Sequence, residues 1–190
     1  DQAIAILTKA QNLRVLSTVH NSLRLKESLL KKLDQTIIEG TSKRSLIFLS
    51  LLAHESSPIQ RSGIMGRLNL DTKTRKIVND TSVAHVLLRD LTSPDTRYSQ
   101  YHKVLGPLDS IAIEACLFAI DDQLTKLKLK IYLKEKRLTT TILTGKDLVK
   151  LGIPEGPQIG AVLEKLLLAK MDEQITTREE EVAFTRELIG

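Results

Sequence analysis

Aliphatic side chains return every three or four residues along nearly the whole chain, and the strict apolar–polar alternation of a strand is almost absent. That spacing lines one face of a helix and leaves a sheet without strands to build from. The one ambiguous stretch is Leu127-Lys128-Leu129-Lys130-Ile131, which alternates over five residues, and its helical surroundings assign it to helix. Aromatics make up only 3% of the chain and Trp is absent, so a core has to be built from Leu, Ile, Val and Ala. Strand-rich domains draw more heavily on aromatic and β-branched residues. The expected class is all-α, a multi-helix chain with no sheet.

Ile4, Ala5, Leu7 and Ala10 share a face of a first helix that Asn12 can end, with Leu13, Val15 and Leu16 continuing the apolar face. A second helix after Asn21 and Ser22 is expected to bury Leu23, Leu29, Leu30, Leu33 and Ile37 and to stop at Gly40. A third runs through Leu46, Leu49, Leu51 and Leu52. Residues 54–66, with Pro58, Gly63 and Gly66, read as an irregular connection. Asp71 suits the N-cap of a helix reaching Asp90, with Ile77, Val78, Val83, Val86, Leu87 and Leu88 inside. A short helix over 98–104 stops at Gly106-Pro107, and Asp109 or Ser110 caps an apolar helix through Phe118 and Ile120. Leu124, Leu127, Ile131 and Leu138 then share a helical face, followed by a β-branched linker, two compact helices and a last helix over 177–188. The expected organisation is a helical body over 1–138 and a small helical tail over 139–190.

Several kinds of chemistry lack their residues. The four histidines form no pair at one-turn spacing, and there is no H-D doublet, D-x-D, G-x-S-x-G or G-x-G-x-x-G. Gly145-Lys146 lacks the rest of a P-loop, and Asp121-Asp122 reads as helix-cap acid. No catalytic residue, metal ligand or cofactor is therefore assigned, and these residues alone are expected to be inactive. Cys116, the single cysteine, sits in an apolar run and reads as a buried thiol. No run of about eighteen apolar residues is present to span a membrane, and no signal-peptide pattern opens the chain. A cytoplasmic protein is expected. The chain starts inside a helical pattern, which suggests a piece of a longer polypeptide.

Lys and Arg number 28 against 23 Asp and Glu, and the net charge is +5. Between Lys126 and Arg137 lie Lys126, Lys128, Lys130, Lys134, Lys136 and Arg137, against the single acid Glu135. Such a run either tracks the phosphates of a nucleic acid or simply faces solvent. Tyr98, Tyr101 and Tyr132 have the faces to stack on bases, although core packing suits each better.

Residues 144–163 read T-G-K-D-L-V-K-L-G-I-P-E-G-P-Q-I-G-A-V-L. Thr144 and Asp147 form a variant capping box, and Gly152 can take positive φ to end a short helix. Gly156-Pro157 opens the next helix, with Pro157 suited to its first position. That N-terminus presents amides and a positive dipole to an anion, while the same Gly and Pro also serve a turn alone. Both readings stay open on chemistry.

The same stretch, continued through E-K-L-L into D-E-Q-I-T-T-R-E-E-E, resembles the tail of bacterial class II tRNA nucleotidyltransferases and related poly(A) polymerases. The family's pattern runs from T-G-x-D-L-x-x-L-G into G-P-x-I-G, a Leu-rich helix, an acidic pair and R-E-E. Upstream, V-H-N-S-L resembles an I-H-P-x-L element, with His20 fitting and Asn21 departing from proline. The resemblance implies a helical body and tail that hold tRNA. A separate N-terminal head of the same polypeptide would carry Mg2+ and ATP or CTP. It also makes Lys126, Lys130, Lys134, Lys136, Arg137, Lys146, Gly156, Gln158 and Gly160 the residues expected to meet RNA. The alternative is a helical protein-interaction or dimerisation module without RNA affinity, and a homodimer fits either reading.

Overall fold

A computed structural model describes residues 2–23 and 41–189. Among these residues there are eleven α-helices and no strand, so the all-α expectation holds. They are α1 (Gln2–Asn12), α2 (Val15–Val19), α3 (Thr41–Ala53), α4 (Pro58–Arg67), α5 (Thr72–Leu87), α6 (Tyr98–Leu105), α7 (Ser110–Ala119), α8 (Gln123–Lys134), α9 (Gly145–Lys150), α10 (Pro157–Met171) and α11 (Arg178–Ile189). The helix expected over most of 21–40, with Leu29, Leu30, Leu33, Ile37 and Gly40, lies outside the described residues. The chain forms two compact units: Asp1–Thr92 with Pro107–Leu127, and Ser93–Gly106 with Lys128–Gly190.

In the first unit α3, α5 and α7 pack on one another. One core cluster joins Ile47, Phe48 and Leu51 of α3 to Ala115 and Phe118 of α7, and another gathers Leu23, Ala53, Ile64, Met65 and Val78. Asp71 caps α5 as expected, accepting from the Thr74 amide at 3.0 Å, and Asp109 caps α7 through the Ile111 amide at 2.8 Å. The Asp122 carboxylate accepts from the Thr125 amide at 2.6 Å, the cap role expected of the acidic doublet. Cys116 is fully buried, and burial pushes its thiol up to about 12, which leaves it an inert core residue.

Residues 54–66 depart from the expected irregular connection, because most of them form α4. Ser57 and Gln60 close a capping box around Pro58, the Ser57 amide donating to Gln60 Oε1 at 2.9 Å. Gly63 sits inside that helix where a Cβ would lie 3.4 Å from the His20 ring, so its missing side chain makes room for the imidazole. Two positions expected inside α5, Val83 and Val86, are 45% and 56% exposed, as are Leu13 and Val15 near the start of the chain at 66% and 49%.

In the second unit residues 93–106 group with 128–190. Lys128 Nζ donates to the carbonyls of Ser93, Pro94 and Thr96, and Arg137 donates to those of Leu105 and Gly106, both at 3.2 Å. Asp172 accepts from the Ser99 amide at 2.9 Å and its hydroxyl at 2.6 Å. These bonds tie 93–106 to 128–190. The buried side of α8 is Leu129 and Tyr132, with Thr125 one turn earlier, whereas Leu124, Leu127 and Leu138 are 36%, 55% and 72% exposed. Burying the large Tyr132 ring beside Tyr101 turns the helix away from the expected leucine face.

The last three helices enclose a core of Leu143, Leu148, Ile153, Leu166, Ala169 and Ile175. The Thr144–Asp147 capping box forms, Gly152 has φ +101°, and Pro157 starts α10. Hydrogen bonds from the Thr144 hydroxyl and amide, then from Arg178, hold the Asp147 carboxyl down at about 2 from its ordinary 3.8. A carboxylate depressed on folding stabilises fully above its unfolded value and loses that contribution as pH falls through its folded one. Thermal melts followed by circular dichroism should therefore decline through the window from 3.8 towards about 2. Asp147→Asn should flatten that part of the profile, and an unchanged profile would count against the box.

Candidate nucleic-acid interface

The residues expected to meet RNA divide into exposed cations, cations engaged within the chain, and a helix start. Lys130 and Lys134 are exposed one turn apart on α8, on the same side of that helix. Lys126 is half-buried and belongs to the other unit.

Lys136 and Arg137 have tasks inside the second unit. Lys136 pairs with Glu173 and holds its ammonium 5.2 Å from the centre of the Tyr98 ring. That bond and charge lower the Glu173 carboxyl. Arg137 serves the two carbonyls at the end of α6, where a guanidinium fits the helix's negative pole. Sequence spacing carried no sign of either partner, since the groups involved lie more than thirty residues away along the chain. Lys128 is a third such case, clamped on three carbonyls. Tyr101 and Tyr132 are fully buried, so stacking on bases is closed to them.

The starts of the last three helices meet. A Cβ on Gly145 would lie 3.2 Å from Ile159 Cγ2, which puts the first turns of α9 and α10 side by side. Arg178, the first residue of α11, donates to Asp147 Oδ1 at 3.0 Å and brings a third N-terminus to the same end. Two of the three are capped: α9 by Thr144 and α11 by Thr177, whose hydroxyl accepts from the Glu180 amide at 3.2 Å. Gly156, with φ +139°, gives α10 no side-chain cap. Lys146, Gly156, Gln158 and Gly160 are all exposed here, and nothing lies within 4 Å of a Cβ built on Gly160. A helix start without a side-chain cap, its positive pole and a lysine suit a phosphate, with the exposed Glu155 as the opposing charge.

Among the described residues no three His, Cys, Asp or Glu side chains gather to hold a metal ion, and no helix is long and apolar enough to cross a membrane.

The same helical arrangement occurs in a solved structure, the Thermotoga maritima CCA-adding enzyme complexed with tRNA, with a TM-score of 0.77 over 98% of this chain. The fold is that found in a CCA-adding enzyme. Identity to that CCA-adding enzyme is 18%, and the chain spans about half its length, 48%. No protein-family model and no curated protein matches the sequence. The likeness to the CCA-adding enzyme is thus carried by the packing of helices, at a level of identity where fold outlasts sequence.

Proposed function

We propose that this chain is the tRNA-holding body and tail of a tRNA nucleotidyltransferase or poly(A) polymerase-type enzyme, which adds nucleotides to RNA 3′ ends in the cytoplasm. In this reading the catalytic head belongs to the same polypeptide outside these residues and handles Mg2+ and ATP or CTP. The described residues gather no donor set for a cation, so no step of the transfer is derived from them. The observation that carries the reading is a fold shared along 98% of the chain with an enzyme solved on tRNA. The exposed Lys130 and Lys134, and Lys146 beside the uncapped start of α10, supply charge of the right sign.

Fluorescence anisotropy with labelled tRNA over about 50 to 200 mM salt tests it. Three phosphate contacts predict that log affinity falls with log salt at a slope of roughly −2 to −3, and neutralising Lys130, Lys134 and Lys146 together should remove most of it. Arg137→Ala should instead lower stability with little change in slope, because its guanidinium is spent on α6. Salt-independent affinity would sink the proposal. Self-association without tRNA affinity would favour the dimerisation module, with Leu124 and Leu127 as its exposed apolar residues.

A further inference from the structure

A cleft of about 630 Å3 opens in the first unit where the end of α3, the start of α4 and the second half of α5 come together. Its size is that of small-molecule sites. Arg61 lines it and is only 7% exposed. The guanidinium donates through Nε to Asn79 Oδ1 at 3.3 Å, and through Nη1 to the Ser56 carbonyl and to Ser82 Oγ at 2.8 Å. All three acceptors are neutral. Among the described residues no carboxylate pairs with Arg61 and nothing accepts from Nη2. Burial lowers its pKa with no anionic neighbour to offset the effect.

A cation this deeply buried costs folding free energy unless an opposite charge reaches it. Arg89, exposed in the 3-10 turn Leu88–Leu91 that follows α5, lines the same cleft and offers a second guanidinium. Two guanidiniums lining one space suit the oxygens of a phosphate, Arg61 through Nη2, the one nitrogen its internal bonds leave over, and Arg89 through its exposed fork. The rest of the wall suits a flat ring. Val83 and Val86 are exposed there, and the His54 and His85 rings meet edge to face with centres 4.9 Å apart. Glu55 also lines the cleft, with Oε1 3.8 Å from His54 Nε2, so its charge lies towards the imidazole.

We infer that this cleft binds a nucleoside monophosphate, the phosphate on Arg61 and Arg89 and the base against Val83, Val86 and the histidine pair. The site is independent of the tRNA reading, since it uses none of the residues assigned to that surface. The phosphate can come from a free nucleotide or from the 5′ end of an RNA chain.

Amide NMR titrations of the 190-residue chain with AMP, with inorganic phosphate and with a 5′-phosphorylated oligonucleotide test the inference. Saturable shifts at 82–87 with AMP are expected. Arg89→Ala and Val86→Asp, both at exposed positions, should each weaken AMP by about tenfold while the remaining spectrum stays folded. An oligonucleotide that binds at least as tightly through the same amides assigns the phosphate to an RNA end, and a weaker one assigns it to a free nucleotide. Inorganic phosphate binding as tightly as AMP would overturn the nucleotide assignment. Absent or non-saturating shifts, or variants that bind AMP unchanged, would overturn the site.

Discussion

Glu181→Ala should destabilise the second unit by about 3–5 kcal/mol, the cost of leaving a buried ion pair with one member. Glu181 is fully buried in the first turn of α11. Its carboxylate accepts from the Ile142 amide at 3.0 and 2.9 Å, the Leu143 amide at 2.8 Å and Lys170 Nζ at 2.8 Å. Burial alone raises the carboxyl, but the bonds from Lys170 and the two amides outweigh it and the pKa is lowered. The residue is therefore ionised at neutral pH and joins three segments: the approach to α9, the last turn of α10 and the start of α11. Alanine there strands two amides and a largely buried ammonium together. Glu181→Gln keeps the shape but turns an NH2 towards those donors, so an intermediate loss is expected. Urea denaturation of the single variants, Lys170→Met and the double variant closes a cycle. Because Lys170→Met also removes the stranded ammonium, the double variant should lose less than the sum of the singles. A loss below about 1 kcal/mol for Glu181→Ala would show that the carboxylate does not hold these segments.

Glu181 also marks the limit of what could be read from the sequence. Arg178-Glu179-Glu180-Glu181 looks like an acidic helix start, and so it is, with Glu180 bonding the Thr176 and Thr177 amides at 2.6 and 3.0 Å. Nothing local separates the third glutamate from the first two. Its burial arises because two amides nearly forty residues upstream need an acceptor. Lys128, Lys136 and Arg137 were opaque for the same reason. A cation's partners are set by which carbonyls and carboxylates the fold brings near, and spacing within one helix is silent on that. What was legible is what local chemistry decides. Asp71, Asp109, Thr144 with Asp147, Gly152, Pro157 and buried Cys116 all stand as read, each governed by neighbours within a turn or two. The reading of 54–66 failed between these cases, where counting Pro and Gly as breakers overlooked a capping box at Ser57. At the candidate interface, Lys130, Lys134 and Lys146 were legible as surface charge. The meeting of three helix starts was not, as it depends on how α9, α10 and α11 pack.

Tyr132→Ala should cost about 3–5 kcal/mol, the range for removing a buried aromatic, whereas Tyr132→Phe should cost about 1 kcal/mol. The ring is fully buried, 6.1 Å from that of Tyr101 and 6.2 Å from that of His102 between centres, and its hydroxyl lies 3.2 Å from His102 Nδ1. Burial, then the nearby charge of Arg137, lowers His102 from its ordinary 6.5, so the imidazole is neutral in the folded state at neutral pH. Neutral Nδ1 can accept the tyrosine proton. The sign of the pH effect follows. A base with a lowered folded value takes up its proton more readily when unfolded, so stability falls as pH drops below 6.5. In Tyr132→Phe the hydroxyl that joins the ring to His102 is gone, and the fall between neutral pH and pH 5 should change in size while the ring packing persists. Urea midpoints across that range give both quantities. The same variant separates structure from recognition, because a fully buried ring meets no base. Under the proposed tRNA-holding role, folded Tyr132→Phe should match the unaltered chain in tRNA affinity, and a tenfold loss relative to it would mean that the ring reaches RNA through a rearrangement of α8.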